Sequence, residues 1–162
     1  MDEIFLRGLS PDDRPAIERI LRDVGVFRDD EVTIGLELVD ETLHPGPSTD
    51  YRWLIAERNA TVIGFACYGP VPLTEGTFDL YWIAVAKDSQ GSLAARTLDH
   101  AITDAIRSVG ARWLLAETSG TDDYARAHRF YKRQGYELIS HVPDFYRPGD
   151  ARLTFGKRLD RG

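Results

Sequence analysis

The spacing of apolar residues changes repeatedly along the chain, and each change predicts an element of secondary structure. An alternating run predicts a short strand over 4–9, and apolar positions at helical spacing predict a first helix after it. Ser10 and Pro11 suit the start of that helix, because serine caps the first turn and proline fits its first position. A second helix is predicted over 29–43, and the Pro/Gly-containing segment 44–48 ends it.

The middle of the chain has the alternation that is typical of strands. Two strands are predicted over 52–57 and 61–68, with a tight turn between them, and a third over 77–85. A long helix is predicted over 91–109, and Gly110 is where it can stop.

The remaining residues predict one more helix among three strands. The predicted strands are 112–117, 136–146 and 152–157, and the helix is 121–134. The whole order, β-α-α-β-β-β-α-β-α-β-β, predicts a single α/β domain over residues 1–162 with a mixed central sheet of about seven strands and four helices. An antiparallel meander comes first, and a strand–helix–strand crossover follows it.

Composition and charge restrict the classes of function. The chain has 162 residues, 43% of them hydrophobic, which suits one folded domain. The single cysteine cannot form an internal disulfide, and the four histidines lack the paired spacing of metal ligands, so no metal is predicted. The isoelectric point near 5.2 argues against a nucleic-acid partner. No apolar stretch suits a membrane and no secretory signal is recognisable, so a cytoplasmic location is expected.

The charge is concentrated near the amino terminus. Residues 1–50 contain 13 acidic and 5 basic side chains. One interpretation is that the acidic residues solvate the outer faces of the first two helices. The other is that this segment lines a site for a cationic ligand. The sequence alone leaves both interpretations open.

The segment DLYWIAVAKDSQGSLAARTL, residues 79–98, predicts a strand, a turn and the start of a helix. Unpaired N–H groups and the positive end of the helix dipole make such a turn an anion site suited to phosphate. Small residues at Gly91, Ser92, Ala94 and Ala95 would let a phosphate approach the backbone closely. The segment lacks both the GKS/T of a Walker loop and GxGxxG, and an ordinary strand–helix turn would explain it equally well.

A second informative segment is YARAHRFYKRQGYEL, residues 124–138. Its residues Ala127, Phe130, Tyr131 and Gln134 are spaced i, i+3, i+4 and i+7, so they share one helix face. Tyr131 is therefore predicted to point inward, where its phenol can donate a proton. The alternative is a core tyrosine that is satisfied by one hydrogen bond.

Together, these segments resemble the GNAT superfamily of acyl-CoA-dependent N-acetyltransferases over nearly the whole chain. The family's turn motif, Q/R-x-x-G-x-G/A, is matched by Gln90 and Ala95, whereas Leu93 replaces the family's central glycine. The family's helix pattern, N-x-x-A-x-x-Φ-Y followed by GF or GY, is matched within 124–136, with Tyr124 where asparagine is usual. The resemblance implies a GNAT-like fold.

The resemblance also implies that acetyl-CoA is the acyl-donor cosubstrate and that no metal is needed. The backbone of 83–85 would pair with the pantetheine as a neighbouring strand would, and the amides of 90–96 would hold the pyrophosphate. The implied cofactor-binding residues are Ile83, Ala84, Val85, Gln90, Gly91, Ser92, Leu93, Ala94, Ala95, Arg96, Tyr124 and Ala127.

Two catalytic residues follow from the same resemblance. Tyr131 would lie near the thioester sulfur and protonate, or hydrogen-bond to, the departing thiolate. An aliphatic amine with a pKa near 10.4 is mostly protonated at neutral pH, so a base must remove its proton. Asp79 matches the carboxylate that does this in several family members, and it shares a strand face with Tyr81 and Ile83. Alternatively, Asp79 ends the preceding loop or pairs with an arginine.

The acceptor is predicted to be a small-molecule or peptide amine. Tyr81, Asp144 and Tyr146 are the predicted substrate-binding residues, since the late strands often border the acceptor pocket in the family. With the acidic amino-terminal helices, they suggest a cationic acceptor. A homodimer is compatible with the family, and the sequence does not decide it.

The predicted function is N-acetyl transfer from acetyl-CoA to a primary amine by direct attack in a ternary complex. The alternative is a GNAT-fold regulatory or interaction module that binds acyl-CoA without turnover, or that has lost coenzyme A because the Leu93 side chain blocks the turn. Cys67 could instead accept the acetyl group in a ping-pong scheme, or serve as a small apolar side chain in a buried strand.

Overall fold

The computed structural model describes residues 3–45, 50–91 and 93–161, and the elements within them follow the predicted order. The strands are β1 (Phe5–Arg7), β2 (Arg52–Arg58), β3 (Thr61–Pro70), β4 (Thr77–Val85), β5 (Trp113–Ser119), β6 (Glu137–Arg147) and β7 (Asp150–Arg158). The α-helices are α1 (Arg14–Asp23), α2 (Asp29–Leu43), α3 (Ala94–Arg107) and α4 (Ala125–Arg133). The predicted α/β class, with seven strands and four helices, is confirmed for the part of the chain that is described.

The strands form a mixed sheet in the order β1-β2-β3-β4-β5-β7-β6. β2 is antiparallel to β1 and β3, and β7 is antiparallel to β5 and β6. β4 and β5 are parallel, and the intervening chain contains α3. The predicted meander and the strand–helix–strand crossover are therefore both present.

Two helix starts differ from the sequence prediction. The helix predicted over 91–109 begins only at Ala94, because Gly91 adopts a φ of 84°, which a right-handed helix does not contain. The helix predicted over 121–134 begins with a single 3₁₀ turn, Asp122–Tyr124, and becomes α-helical at Ala125. In both places a turn occupies residues that the apolar spacing had assigned to the helix.

The chain divides into two compact units, and the first comprises Met1–Gly69 with Trp82–Ile102. Its core is formed by apolar side chains that α1, α2, β2 and β3 bury against one another. The fully buried members include Ile17, Ile20, Leu21, Val32, Val39, Ile55 and Phe65. Gly35 on α2 allows the close packing, because a Cβ at that position would lie 3.0 Å from Leu21 Cδ1.

Arginines pair with many of the acidic residues near the amino terminus. The Arg7 guanidinium donates to both carboxylate oxygens of Asp13, at 2.7 and 2.8 Å, and lowers the pKa of that buried carboxyl. Further ion pairs on the same unit are Arg14–Asp40, Arg22–Glu18 and Arg28–Asp30. These pairs favour the interpretation that the acidic segment solvates helix surfaces.

The second unit comprises Pro70–Tyr81 with Thr103–Gly162. Its core forms where α4 packs on β7: the Phe155 ring lies 5.5 Å from the Tyr131 ring and 5.6 Å from the His128 ring. Leu114 and Ala116 of β5 are buried beside them. Within the described residues, no helix is both long enough and apolar enough to cross a bilayer.

Candidate functional site

The parallel ladder between β4 and β5 ends at Asp79. In the described residues it joins Thr77 to Trp113, Phe78 to Leu114 and Asp79 to Leu115. β4 itself continues as a strand to Val85. Asp79 therefore lies at the carboxyl end of the paired region, where β4 goes on without a described partner on its β5 side.

The Asp79 carboxyl is half-buried, and its pKa is raised to about 6 by burial and, secondarily, by the negative charge of Glu117. No ion pair joins Asp79 to an arginine among the residues that the structure describes, so the alternative of a structural Asp–Arg pair has no support. At pH 7 and above, Asp79 is mainly a carboxylate that has lost part of its hydration. Such a group can accept a proton from an ammonium ion.

Glu117 is a second carboxylate near Asp79 that was not predicted from the sequence. It lies on β5 two residues beyond Leu115, the partner of Asp79, so both carboxylates project from the same face of the sheet. Glu117 is exposed. The only signal in the sequence is an acidic residue at the end of an apolar strand, and its relation to Asp79 depends on a strand register that the sequence does not reveal.

Tyr131 is buried on α4, against the face of the sheet opposite to Asp79. Its ring contacts Tyr136 at 5.2 Å and Phe155 at 5.5 Å between centroids. Phe155 pairs with Ala116 in the β5–β7 ladder, and Ala116 points away from the face of Leu115 and Asp79. The two predicted catalytic residues thus belong to opposite faces of the sheet in the second unit.

The predicted pantetheine-binding backbone is the end of β4, in the first unit. Ala84 and Val85 are buried, and Ile83 is partly buried. β3 approaches closely at Gly64, where a Cβ would lie 3.0 Å from the Ala84 carbonyl oxygen. This packing holds the end of β4 in an extended conformation.

The turn that is predicted to bind the pyrophosphate follows β4 directly in the chain. After β4, the Gln90 amide donates to the Val85 carbonyl at 3.4 Å, and Gly91 has a φ of 84° that favours glycine. Leu93 is 64% exposed, so its side chain points toward solvent, and its carbonyl accepts the Thr97 N–H at 2.8 Å as α3 begins. Ser92, predicted to bind the cofactor, lies outside the described residues. Ala94 is buried, Ala95 is partly buried and Arg96 is exposed.

Arg58 is a cation beside this turn that was not predicted from the sequence. Its guanidinium donates to the Ser89 hydroxyl at 3.1 Å. Arg58 ends β2 and precedes the hairpin residues Asn59 and Ala60, so the sequence indicated only a tight turn there. The contact spans 31 positions along the chain, which local patterns do not predict.

The other predicted cofactor-binding residues lie in the second unit. Tyr124 is the residue that precedes α4, and Ala127 lies in its first turn. Both are partly buried.

The predicted acceptor-binding residues are scattered over the second unit. Tyr81 is exposed on β4. Asp144 adopts a φ of 55° and its carboxylate accepts the Gly149 N–H at 2.7 Å, so this side chain closes the β6–β7 hairpin. The Tyr146 ring is exposed and packs edge-on against Phe145, with 5.0 Å between centroids.

Cys67 has the properties of a structural residue. It is completely buried on β3, and burial raises the pKa of its thiol far above the usual range. A thiol that is neither ionised nor accessible cannot act as an acetyl carrier. The part of the chain that is described contains no group of three His, Cys, Asp or Glu side chains suited to a metal ion.

Comparison with known proteins gives one family. A family model described as the acetyltransferase (GNAT) family matches residues 18–136. The crystal structure of a protein designated a GNAT-family acetyltransferase, from Desulfovibrio desulfuricans, is 38% identical to this chain at a TM-score of 0.92, covering 97% of this chain and 99% of that one. No functionally curated protein matches the chain at a significant level.

Two more distant structures share the fold. The ribosomal-protein-S18-alanine N-acetyltransferase of Escherichia coli is 19% identical at a TM-score of 0.77, covering 99% of this chain and 96% of that one. The protein yncA of Salmonella typhimurium, solved with its cofactor acetyl-CoA, is 19% identical at a TM-score of 0.73, covering 98% of this chain and 95% of that one. At such identities the similarity concerns the fold alone.

Proposed function

The chain belongs to the acetyltransferase (GNAT) family, and we propose that it transfers the acetyl group of acetyl-CoA to a primary amine by direct attack in a ternary complex. Acyl transfer from acetyl-CoA follows from the family. The choice of an amine and of direct attack rests on one observation. Asp79 is a half-buried carboxylate without a structural partner among the described residues, and its pKa of about 6 suits a general base.

Asp79 would accept the proton of the attacking amine, directly or through a water molecule. An ammonium ion has no free lone pair, so the amine becomes a nucleophile only after this proton leaves. The carboxylate form of Asp79 predominates above pH 6, and Glu117 adds negative charge that attracts the ammonium form first. Both groups therefore favour an amine over an alcohol as the acceptor.

Tyr131 would donate a proton or a hydrogen bond to the leaving thiolate. Its ring is fixed between Phe155 and Tyr136, so its phenol can hold one position without loss of side-chain entropy during the reaction. Asp79 and Tyr131 act from opposite faces of the sheet in this proposal. Within the second unit, the described parallel ladder of β4 and β5 ends at Asp79.

The residues of the turn fit acetyl-CoA as the acyl donor. Residues 83–85 end an extended strand, Gly91 adopts the left-handed conformation, and Arg58 adds a positive charge nearby. Backbone N–H groups at the start of α3, a helix of 14 residues, are suited to bind phosphate oxygens. The exposed Leu93 side chain does not support the alternative that this turn is blocked.

Calorimetric titration with acetyl-CoA tests the donor site, and a panel of primary amines with thiol release as the readout tests transfer. We expect micromolar binding by the wild type and by Tyr131→Phe, with transfer reduced about 10²-fold or more in the variant. Phe130→Leu is the matched control, since it changes a neighbouring aromatic ring without removing a hydroxyl. Absence of acetyl-CoA binding, or binding with no thiol release from any amine, would contradict the proposal.

A further inference from the structure

A groove with mainly apolar walls lies beside Asp79 on the same face of the sheet. It has a volume of about 300 Å³ and is lined by Thr77, Trp113, Leu115 and Ile139. Thr77 precedes Asp79 by two residues on β4, and Leu115 is the partner of Asp79 on β5. Because paired positions and every second residue share a face, the carboxylate and the groove open to the same side of the second unit.

The absence of a side chain at Gly156 on β7 gives the groove its shape. Gly156 lies opposite Leu115, and a Cβ there would lie 3.0 Å from Leu115 Cδ2 and 3.0 Å from Trp113 Cζ3. The same Cβ would lie only 2.8 Å from Ile139 Cγ1. Apolar side chains from β5 and β6 therefore approach one point above the β7 backbone, and a larger residue at Gly156 would force them apart.

The two ends of the groove differ in charge. At one end, Glu117 lies close enough to Asp79 to raise the pKa of its carboxyl. At the other end, the Cζ of Arg158 lies 4.9 Å from the centre of the Trp113 ring. The Arg158 guanidinium donates to Asp160 at 2.5 Å, so we do not expect it to bind a carboxylate of the acceptor. The first end attracts an ammonium group, whereas the paired charges at the second end largely cancel.

The groove extends from Asp79 away from the residues that are proposed to bind pantetheine. Residues 83–85 follow Asp79 along β4, whereas Thr77 precedes it. The groove therefore continues in the opposite direction along the strand. This order along β4 supports an acceptor whose nitrogen is nearer to the thioester than its carbon chain is.

The distance from the Asp79 carboxylate to the groove restricts the length of the acceptor. Two residues along a strand span about 6.6 Å and neighbouring strands lie about 4.8 Å apart, so the carboxylate is about 5–7 Å from the groove. A hydrogen bond of about 2.8 Å and a linker of two or three carbon atoms, with bonds of about 1.5 Å, cover this distance. The groove is large enough for a phenyl ring or a branched alkyl group.

We propose that the acceptor is an apolar monoamine, with an aromatic or branched aliphatic group two or three carbon atoms from its nitrogen. Its ammonium group binds at Asp79 and Glu117 before deprotonation, and its apolar group occupies the groove of Trp113, Leu115 and Ile139. A carboxylate beside the nitrogen would be repelled by the two acidic side chains, and a second ammonium group would lie against apolar side chains. This inference rests on the proposed function, because it names the amine that Asp79 would deprotonate.

Amines that differ in one group each test the proposal. We would compare kcat/KM for 2-phenylethylamine and 3-methylbutylamine with three others: methylamine, which lacks the apolar group, L-phenylalanine, which adds a carboxylate, and 1,4-diaminobutane, which adds a second ammonium. The apolar monoamines are expected to exceed methylamine by about 10-fold to 100-fold, because the groove buries their apolar surface. They are expected to exceed L-phenylalanine and 1,4-diaminobutane by at least about 10-fold.

Ile139→Ser and Leu138→Ser form a matched pair of variants. The two aliphatic side chains are 48% and 52% exposed, so neither substitution removes a core residue. Ile139 lines the groove, whereas Leu138 lies opposite Phe155, on the face of the sheet against which α4 packs. Ile139→Ser should reduce the preference for 2-phenylethylamine over methylamine by about 5-fold to 10-fold, and Leu138→Ser should preserve it.

Equal kcat/KM values for 2-phenylethylamine and methylamine, or an equal loss of preference in both variants, would overturn the inference and leave the proposed function intact. A higher value for 1,4-diaminobutane would overturn it in favour of a polyamine. A higher value for L-phenylalaninamide, a mimic of a peptide amino terminus, would overturn it in favour of a peptide.

Calorimetry with 2-phenylethylamine in the presence of coenzyme A gives a second readout that needs no turnover. Binding that Ile139→Ser weakens and Leu138→Ser does not would support the apolar site even if no amine releases thiol, which would contradict the proposed function alone. Absence of both binding and transfer would overturn both proposals. Thermal melting of the two variants checks that each is folded.

Discussion

Replacing Asp79 with asparagine is expected to stabilise the folded chain at pH 8 while it abolishes acetyl transfer. Asparagine has nearly the same shape, but it carries no charge to be desolvated and is not repelled by Glu117. The wild-type carboxyl has its pKa raised from 3.8 to about 6 in the folded chain, so folding favours the protonated form. The carboxylate therefore destabilises the folded state wherever it is ionised.

The size of this effect follows from the shift in pKa. At 1.36 kcal/mol per pH unit, the rise from 3.8 to about 6 corresponds to at most about 3 kcal/mol. Asp79 is only half-buried, and solvent screening reduces this to about 1–1.5 kcal/mol. The destabilisation is fully present above the folded pKa of about 6 and disappears as the pH falls below the unfolded value of 3.8.

Urea unfolding at pH 8 and at pH 4 measures the difference between wild type and Asp79→Asn. We expect the midpoint of the variant to be higher by about 0.5 M at pH 8, with an unchanged slope, and by much less at pH 4. Glu117→Gln is the matched control, because it removes only the charge repulsion and should give a smaller gain at pH 8. A variant that is less stable than wild type at pH 8, or a gain that does not depend on pH, would refute the argument.

Three further outcomes follow from the structure. The value of kcat/KM should fall as the pH drops through about 6, and Glu117→Gln should move this midpoint to lower pH, as a pH–rate profile would show. Cys67→Ala should retain transfer activity at a cost of about 1 kcal/mol in stability, and the native Cys67 thiol should resist modification until the protein unfolds. Ala60→Gly should raise the free energy of unfolding by about 0.5–1 kcal/mol, because Ala60 adopts a φ of 60° in the β2–β3 turn.

Much of the fold could be predicted because local sequence features, such as segments with proline and glycine, mark the ends of its helices and strands. The bounds of α2 (Asp29–Leu43) and β4 (Thr77–Val85) were predicted to the residue, since a Pro/Gly-containing segment flanks each of them. The start of α3 was wrong by three residues, because helical spacing of apolar side chains says nothing about the positive φ of Gly91. Local sequence patterns therefore predict helices and strands more reliably than they predict the turns that join them.

The candidate site could be predicted only in part. The turn, Asp79 and Tyr131 were predicted from contiguous motifs that resemble a family, and their roles stay predictions. Glu117 was missed because its position beside Asp79 depends on the parallel register of β4 and β5. Arg58 was missed because it reaches Ser89 from a hairpin far away in the sequence. Asp144, conversely, was predicted to bind the acceptor, whereas its carboxylate closes a hairpin turn.

The polar groups of the second unit are of two kinds. Some form hydrogen bonds or ion pairs that stabilise the fold, and others have no such partner among the described residues. Asp150 accepts hydrogen bonds from Ser119 and Arg147, which ties β7 to the end of β5 and to the hairpin. Asp79 and Arg152 have no such partners among the described residues, although desolvation makes an unpaired charge costly. A protein that needed these groups only for stability would gain by pairing or replacing them. The Asp79 carboxylate is therefore available to a ligand, as the proposed role of a general base requires.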